Sequence, residues 1–187
     1  MITLNIEKQG ETITFFSEPD NTSPSLEVEV RLAPGADGPG PHIHTRQAEI
    51  FQVVSGTMIA KVDGREIVIE AGETAIVEPG QVHSFKNGSA TEPLLIRGKV
   101  EPALNFQWFL TEAAKSAIRA GGAWKDLPLL EVAYIMHQVR DEYRLAYIPF
   151  ALQDLIFGGL SRLAVRRGRT KDIAPLHVAT GSTAAGA

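Results

Sequence analysis

Three histidines and one glutamate in the first half of the chain have the residue types and spacing of a metal-binding set. His42 and His44 stand two apart in PHIHTRQAEIFQVVSG. In extended chain alternate residues face the same side, so both imidazoles can reach one ion. If the segment from Glu49 returns along the same pocket, Glu49, Phe51 and Val53 share its inner face, and Ile50, Gln52 and Val54 the outer. His83 and Phe85, within GETAIVEPGQVHSFKN, can face that pocket from a different strand. Neutral imidazoles with a carboxylate form a borderline N/O donor set, suited to one divalent transition metal ion (Mn, Fe, Co, Ni, Cu or Zn); the affinity order alone does not choose among them. His137 and His177 lack such neighbours and are read as ordinary surface or core residues.

Positioning these side chains calls for strands, and the first hundred residues supply them. Short segments of period two, punctuated by turn residues, mark an antiparallel sandwich or barrel. Ile2, Leu4 and Ile6 alternate with polar residues. Ser25 to Leu32 places Leu26, Val28, Val30 and Leu32 on one face and Glu27, Glu29 and Arg31 on the other. Further strands are expected over Thr12–Phe16, Glu49–Val54, Thr57–Val62, Arg65–Glu70, Thr74–Val77, Val82–Lys86 and Leu94–Val100. Asp63-Gly64 is a two-residue hairpin link between two of them. Near Pro102 the period changes to about 3.6. Phe106, Phe109, Leu110, Ala113 and Ala117 predict a helix ending at Gly121-Gly122; a second is predicted from Leu129 to about Arg144 and a third from Pro149 to about Val165. Past Arg169 the composition turns to Thr, Ala and Gly, which predicts a flexible tail.

The two histidine segments resemble the paired motifs of the cupins. The first cupin motif runs glycine, five residues, His-X-His, three or four residues, glutamate, six residues, glycine. His42, His44, Glu49 and Gly56 match it, while Ala36 occupies the leading glycine position. The second runs glycine, five residues, Pro-X-Gly, two residues, histidine, three residues, asparagine. Gly72, Gly80, His83 and Asn87 fall in place, with Glu78 in the proline position and Pro79 after it. Fifteen residues separate Gly56 from Gly72, a short spacing similar to that of microbial members. The resemblance implies a mainly β chain: an antiparallel jelly-roll (cupin) β-barrel over residues 1–101, a C-terminal α-helical extension of about three helices over 102–169 that packs on the barrel or on a dimer partner, and the tail over 170–187. It also implies that His42, His44, Glu49 and His83 are the metal ligands, with open coordination positions left for water or substrate.

By the same resemblance the glutamate argues against the thiol-dioxygenase type, which uses histidines alone, and the absence of an acid after His42 argues against the His-X-Asp oxygenases. Three-His, one-Glu cupins include oxidases, decarboxylases, dioxygenases, isomerases and lyases, so the expected partner is a small oxygen-rich ligand or substrate, an enolate or a carboxylate. A non-catalytic pocket that binds or senses a small ligand is the alternative, because one fold hosts many functions. Gln47, Phe51, Val53, Phe85 and Arg97 are expected to line the pocket, and Gln47, Arg97 and Glu78 adjoin the motifs as candidate acid or base groups.

Composition removes other classes. The 187 residues carry a net charge of −4, so no overall basic field draws nucleic acid. The chain has no cysteine, which excludes disulfides, thiolate metal sites and a cysteine nucleophile. The first residues alternate like a strand and show no signal peptide, and a cytoplasmic location is expected. Residues 145–171 combine an interrupted apolar run with Arg162, Arg166, Arg167, Arg169 and Lys171. Packing on the barrel or across a homodimer is preferred for them over a place on an anionic membrane, although a peripheral helix has the same pattern.

Overall fold

The computed structural model describes residues 1–16 and 25–176. Strands β1 (Ile2–Ile6), β2 (Glu11–Phe15), β3 (Leu26–Leu32), β4 (His42–His44), β5 (Ala48–Ser55), β6 (Thr57–Val62), β7 (Arg65–Glu70), β8 (Thr74–Val77), β9 (Val82–Asn87) and β10 (Leu94–Glu101) follow in order. Helices α1 (Phe106–Ala120) and α2 (Leu129–Gln138), strand β11 (Tyr143–Leu145) and helix α3 (Phe150–Arg166) complete the described chain. Two antiparallel sheets face each other, ordered β1-β2-β3-β10-β5-β8 and β11-β4-β9-β6-β7. The architecture is therefore an antiparallel β-barrel with a C-terminal helical extension.

Alternation explains the strands. Along β3 and β10 every second residue is buried, so Leu26, Val28, Val30 and Leu32 meet Leu94, Ile96 and Val100 across the register while Glu27 and Arg31 stay outside. In the β6–β7 hairpin Asp63 and Gly64 both take positive φ, 48° and 82°, which matches the twist of the flanking strands. Asp63 also accepts hydrogen bonds from the Val82 backbone N–H and the Gln81 side chain, both at 3.0 Å, tying the hairpin to β9.

The extension shares the barrel's core: Phe106, Phe109, Ala113, Ala114, Ile135, Met136 and Val139 are buried in the same apolar cluster as the strands. One helix differs from expectation. The predicted second helix stops at Gln138 instead of about Arg144, because the chain turns on the Val139 carbonyl, which accepts from both Glu142 and Tyr143 backbone N–H groups at 2.9 Å. Tyr143–Leu145 then pairs with His42–His44 as β11. This long-range pairing competes successfully with local helix propensity. The start of the expected tail is also held: Ile173 is buried, and Ala174 accepts from the Trp108 indole at 3.0 Å and donates to Glu112 at 3.0 Å. Residues 177–187, His177 included, lie outside the described residues. Among the described residues no helix is long and apolar enough to cross a membrane.

Where the α1–α2 connection docks on the barrel, the Trp124 indole donates to the buried Glu11 carboxylate at 2.6 Å. Burial pushes the Glu11 carboxyl up from 4.5 to about 7, with the Trp124 bond opposing. Between these values the unfolded chain releases a proton that the folded chain keeps, so stability falls as pH rises from about 4.5 to about 7 and stays reduced above. Glu11→Gln is expected to gain stability over the wild type on going from pH 5 to pH 8, by up to about 3 kcal/mol at ~1.4 kcal/mol per pH unit. Urea unfolding at the two pH values measures it; a difference that does not grow with pH would contradict the assignment.

Candidate metal centre

Each ligand candidate owes its direction to strand alternation. In β5 Glu49, Phe51 and Val53 are buried while Gln52 and Val54 are exposed, and in β9 His83, Phe85 and Asn87 point inward. His42 lies directly across from His83 in the β4–β9 pairing. One side-chain donor atom from each of His42, His44, Glu49 and His83 lies within 4.8 Å of all the others. All four residues are buried, none more than 6% exposed. Glu49 Oε2 is 2.7 Å from His83 Nε2 and 3.5 Å from His44 Nε2.

The ring nitrogens away from the cluster are largely committed. His42 Nδ1 lies 2.9 Å from the Gly40 carbonyl and His83 Nδ1 lies 3.1 Å from the Gln81 carbonyl. A carbonyl oxygen can only accept, so both Nδ1 atoms carry protons and both Nε2 atoms are the ones turned to the cluster. That is the arrangement a metal-ligating histidine takes. His44 differs: both of its nitrogens are buried with no hydrogen-bond partner. A buried imidazole left without partners beside a carboxylate is costly, unless an ion accepts its lone pair. The residues present therefore fit a metal ion.

Electrostatics point the same way. Burial would raise the Glu49 carboxyl, yet His44, followed by the His83 hydrogen bond and the charges of His83 and His42, brings it down to about 2. Burial holds the His42 ring down to about 3, and it lowers His44 too. For His83 burial acts downward, but the hydrogen bond and charge of Glu49 outweigh it and raise the ring. The set thus presents a Glu49 carboxylate hydrogen-bonded to His83 among three buried imidazoles, a donor set into which an ion could enter.

The motif asparagine has a structural task. Asn87 Nδ2 donates to the carbonyls of Ala33 at 3.0 Å and Glu92 at 2.8 Å, and its Oδ1 accepts from Ser89 N–H at 2.9 Å, which locks the loops beside β9. Phe51 and Phe85 rings pack at 5.3 Å beneath the site, and Val53 is fully buried. Phe51 also lines a cavity of about 430 Å³, together with Ala60, Val62, Ala75 and Val77. Gln47 is buried beside His44. Arg97 departs from its expected place: it lies on the outer face of β10, opposite Glu29 and Gln52, because strand parity turns it away when Ile96 and Gly98 face in. Glu78 is exposed, with its backbone N–H bonded to Gln81.

Residues 28–96 match the family model for the cupin domain. Over these residues the chain carries a cupin domain. This cupin is similar in structure to KdgF from Halomonas sp. (23% identity over 57% of this chain and 93% of that one, TM-score 0.47). It is also similar to an RmlC-like cupin from Shewanella frigidimarina (22%, 54% and 83%, TM-score 0.45), and to a predicted oxalate decarboxylase from Thermotoga maritima (19%, 53% and 89%, TM-score 0.46). Comparison with curated proteins finds no match.

The extension contributes residues that the motifs do not announce. Because β11 pairs with β4, Tyr143 sits opposite His44 and Leu145 opposite His42. The Tyr143 ring stacks on His42 (centroids 4.9 Å apart, planes at 19°) and meets His44 edge-on at 5.3 Å. Phe106, from the first turn of α1, meets His44 at 5.3 Å. Burial, with the Glu49 charge adding, keeps the Tyr143 phenol above its ordinary range, so it stays a neutral hydroxyl at neutral pH. Two further ties hold β11 in place: Arg144 forms an ion pair with Asp154 at 2.6 Å, and Gln153 bonds both backbone groups of Leu145. The signal for these residues is the alternation Tyr-Arg-Leu, too short to show a period.

Proposed function

We propose that this cupin is a metal-dependent enzyme in which His42, His44, Glu49 and His83 hold one divalent transition metal ion and a small oxygen-rich molecule, an enolate or a carboxylate, is transformed beside it. The observation that carries the reading is the convergence of four buried donors, with His42 and His83 already oriented by backbone carbonyls and His44 left without a partner. A bound ion would supply Lewis acidity to a chelating substrate. The chain's own residues do the rest. Glu49 offsets part of the ion's charge, and the two carbonyls keep the imidazole lone pairs aimed inward. Tyr143 and Phe106 screen the His42 and His44 rings on the side of β11.

Room for a substrate is sought in the 430 Å³ cavity: none of the four donors lines it, but its lining residues Val62 and Val77 are the cross-strand partners of His83 and Glu49. Its walls are mostly apolar, with Asp63, Arg65 and Gln81 as polar members, the composition of a small-molecule site. The test is a panel of small hydroxy-, keto- and dicarboxylates, with and without O₂, offered to metal-loaded protein, metal-free protein and His83→Ala. Turnover confined to the metal-loaded protein supports an enzyme. Ligands that raise the melting temperature of loaded and metal-free protein equally, with no product formed, would instead establish a non-catalytic binding cupin.

A further inference from the structure

Among the three ligand histidines, His44 alone lacks a partner for its Nδ1, and the structure places a candidate beside it. The Gln47 side chain lies close enough to the His44 ring to act on it, and neither ring nitrogen has a formed hydrogen bond. Its Oε1 is buried and has no partner, like His44 Nδ1. The other end of the same amide is fixed: Gln47 Nε2 donates to Glu142 Oε2 at 3.2 Å. Glu142 is itself buried and is held from α1's entrance, where Asn105 donates through its backbone N–H at 3.0 Å and its side-chain amide at 2.5 Å. The barrel loop is stitched to the same turn by Thr45, whose N–H donates to the Glu142 carbonyl at 2.9 Å and whose hydroxyl donates to the Asp141 carbonyl at 2.7 Å.

We infer that Gln47, anchored by Glu142 of the helical extension, is the positioning residue for His44: its Oε1 accepts the Nδ1 proton and so presents His44 Nε2 to the ion. This rests on the metal reading above. A carboxylate can only accept, so Glu142 fixes the amide orientation of Gln47; its NH₂ must face Glu142, and its oxygen is then the atom left for His44. The partner supplied to His42 and His83 by the barrel's own backbone is thus supplied to His44 through a side chain that the extension holds. The extension, on this account, is a structural part of the metal centre, and a change in its docking is felt in metal affinity.

The test uses the full chain, Co(II) as the probe, and three readouts: affinity, the visible absorption of bound Co(II), and the melting temperature of metal-free protein. Gln47→Leu removes a buried oxygen that has no partner together with the Nε2 donor to Glu142, so metal-free protein is expected to melt somewhat lower, while Co(II) affinity falls about 10- to 100-fold and the absorption bands shift. The exchange Gln47→Glu/Glu142→Gln keeps one donor and one acceptor between the two side chains and is expected to restore most of the affinity, whereas Gln47→Glu alone sets two carboxylates together and does not. With the leucine variant melting lower, the exchange decides: recovery supports the role and no recovery overturns it. Wild-type protein that binds and a leucine variant with affinity within about twofold and unchanged absorption overturn the positioning role alone. Wild-type protein that binds no Co(II) removes the metal reading, and this role with it.

Discussion

Replacing His83 by alanine is expected to abolish stoichiometric metal binding and also to weaken the metal-free protein. Loss of a partner one shell out already costs 10- to 100-fold in affinity, so loss of a ligand is expected to cost ~100-fold or more. The second effect separates His83 from His44. His83 Nε2 sits 2.7 Å from Glu49 Oε2 inside the barrel, and Glu49 is a carboxylate held down to about 2. Without His83 that carboxylate keeps only the 3.5 Å approach of His44, and breaking one side of a buried pair costs about 3–5 kcal/mol. His44→Ala removes a ring that forms no hydrogen bond and stands 3.5 Å from Glu49, against 2.7 Å for His83, so it is expected to lose metal equally while lowering the metal-free stability less than His83→Ala does. Elemental analysis and urea unfolding of both variants measure this; equal destabilisation by the two would show that the Glu49–His83 contact is not the pair described.

The glycine that closes the first motif is expected to be the most sensitive of the turn glycines. Gly56 has φ of +83°, and a Cβ built there would stand 2.6 Å from the Pro93 carbonyl oxygen and 3.0 Å from Leu94 Cα. Both obstacles are backbone and cannot rotate away. Gly56→Ala therefore combines a left-handed conformation with a clash at the seam where β5 turns into β6 beside β10, and about 2–4 kcal/mol of stability is expected to be lost. Gly72 and Gly80 have φ of +91° and +90° but nothing within 4 Å of the added carbon. Alanine there meets only the conformational penalty, ~1 kcal/mol. Chemical denaturation of the three variants reads the contrast, and equal losses would refute the steric account.

These contrasts show what the residues alone carry. His42, His44, Glu49 and His83 were legible because strand parity converts sequence spacing directly into facing direction, and the hairpin at Asp63-Gly64 was legible because turn chemistry is local. The same parity argument places Arg97 outside: it alternates with Ile96 and Gly98, and proximity to the motif in sequence was a weaker guide than its register against Glu29. Tyr143 and Glu142 were not legible. They follow the apolar-periodic run of α2 without a glycine or proline to break it, and what makes Tyr143–Leu145 a strand is its pairing with β4, about a hundred residues earlier in the chain. Gln47 is an intermediate case, close to the ligands in sequence but meaningful only once Glu142 is seen to hold its amide. Spacing thus reveals side chains that share a strand face, and it is silent on partners delivered by a distant turn.

The central claim is that the four buried side chains hold an ion. Crystals of the 187-residue chain grown with Co(II) or Zn(II), measured on both sides of the metal's absorption edge, test it most directly. The account predicts one strong anomalous peak about 2.0–2.2 Å from His42 Nε2, His44 Nε2, His83 Nε2 and a Glu49 carboxylate oxygen. Density free of any such peak at saturating metal, with His83 Nε2 still bonded to Glu49, would contradict it.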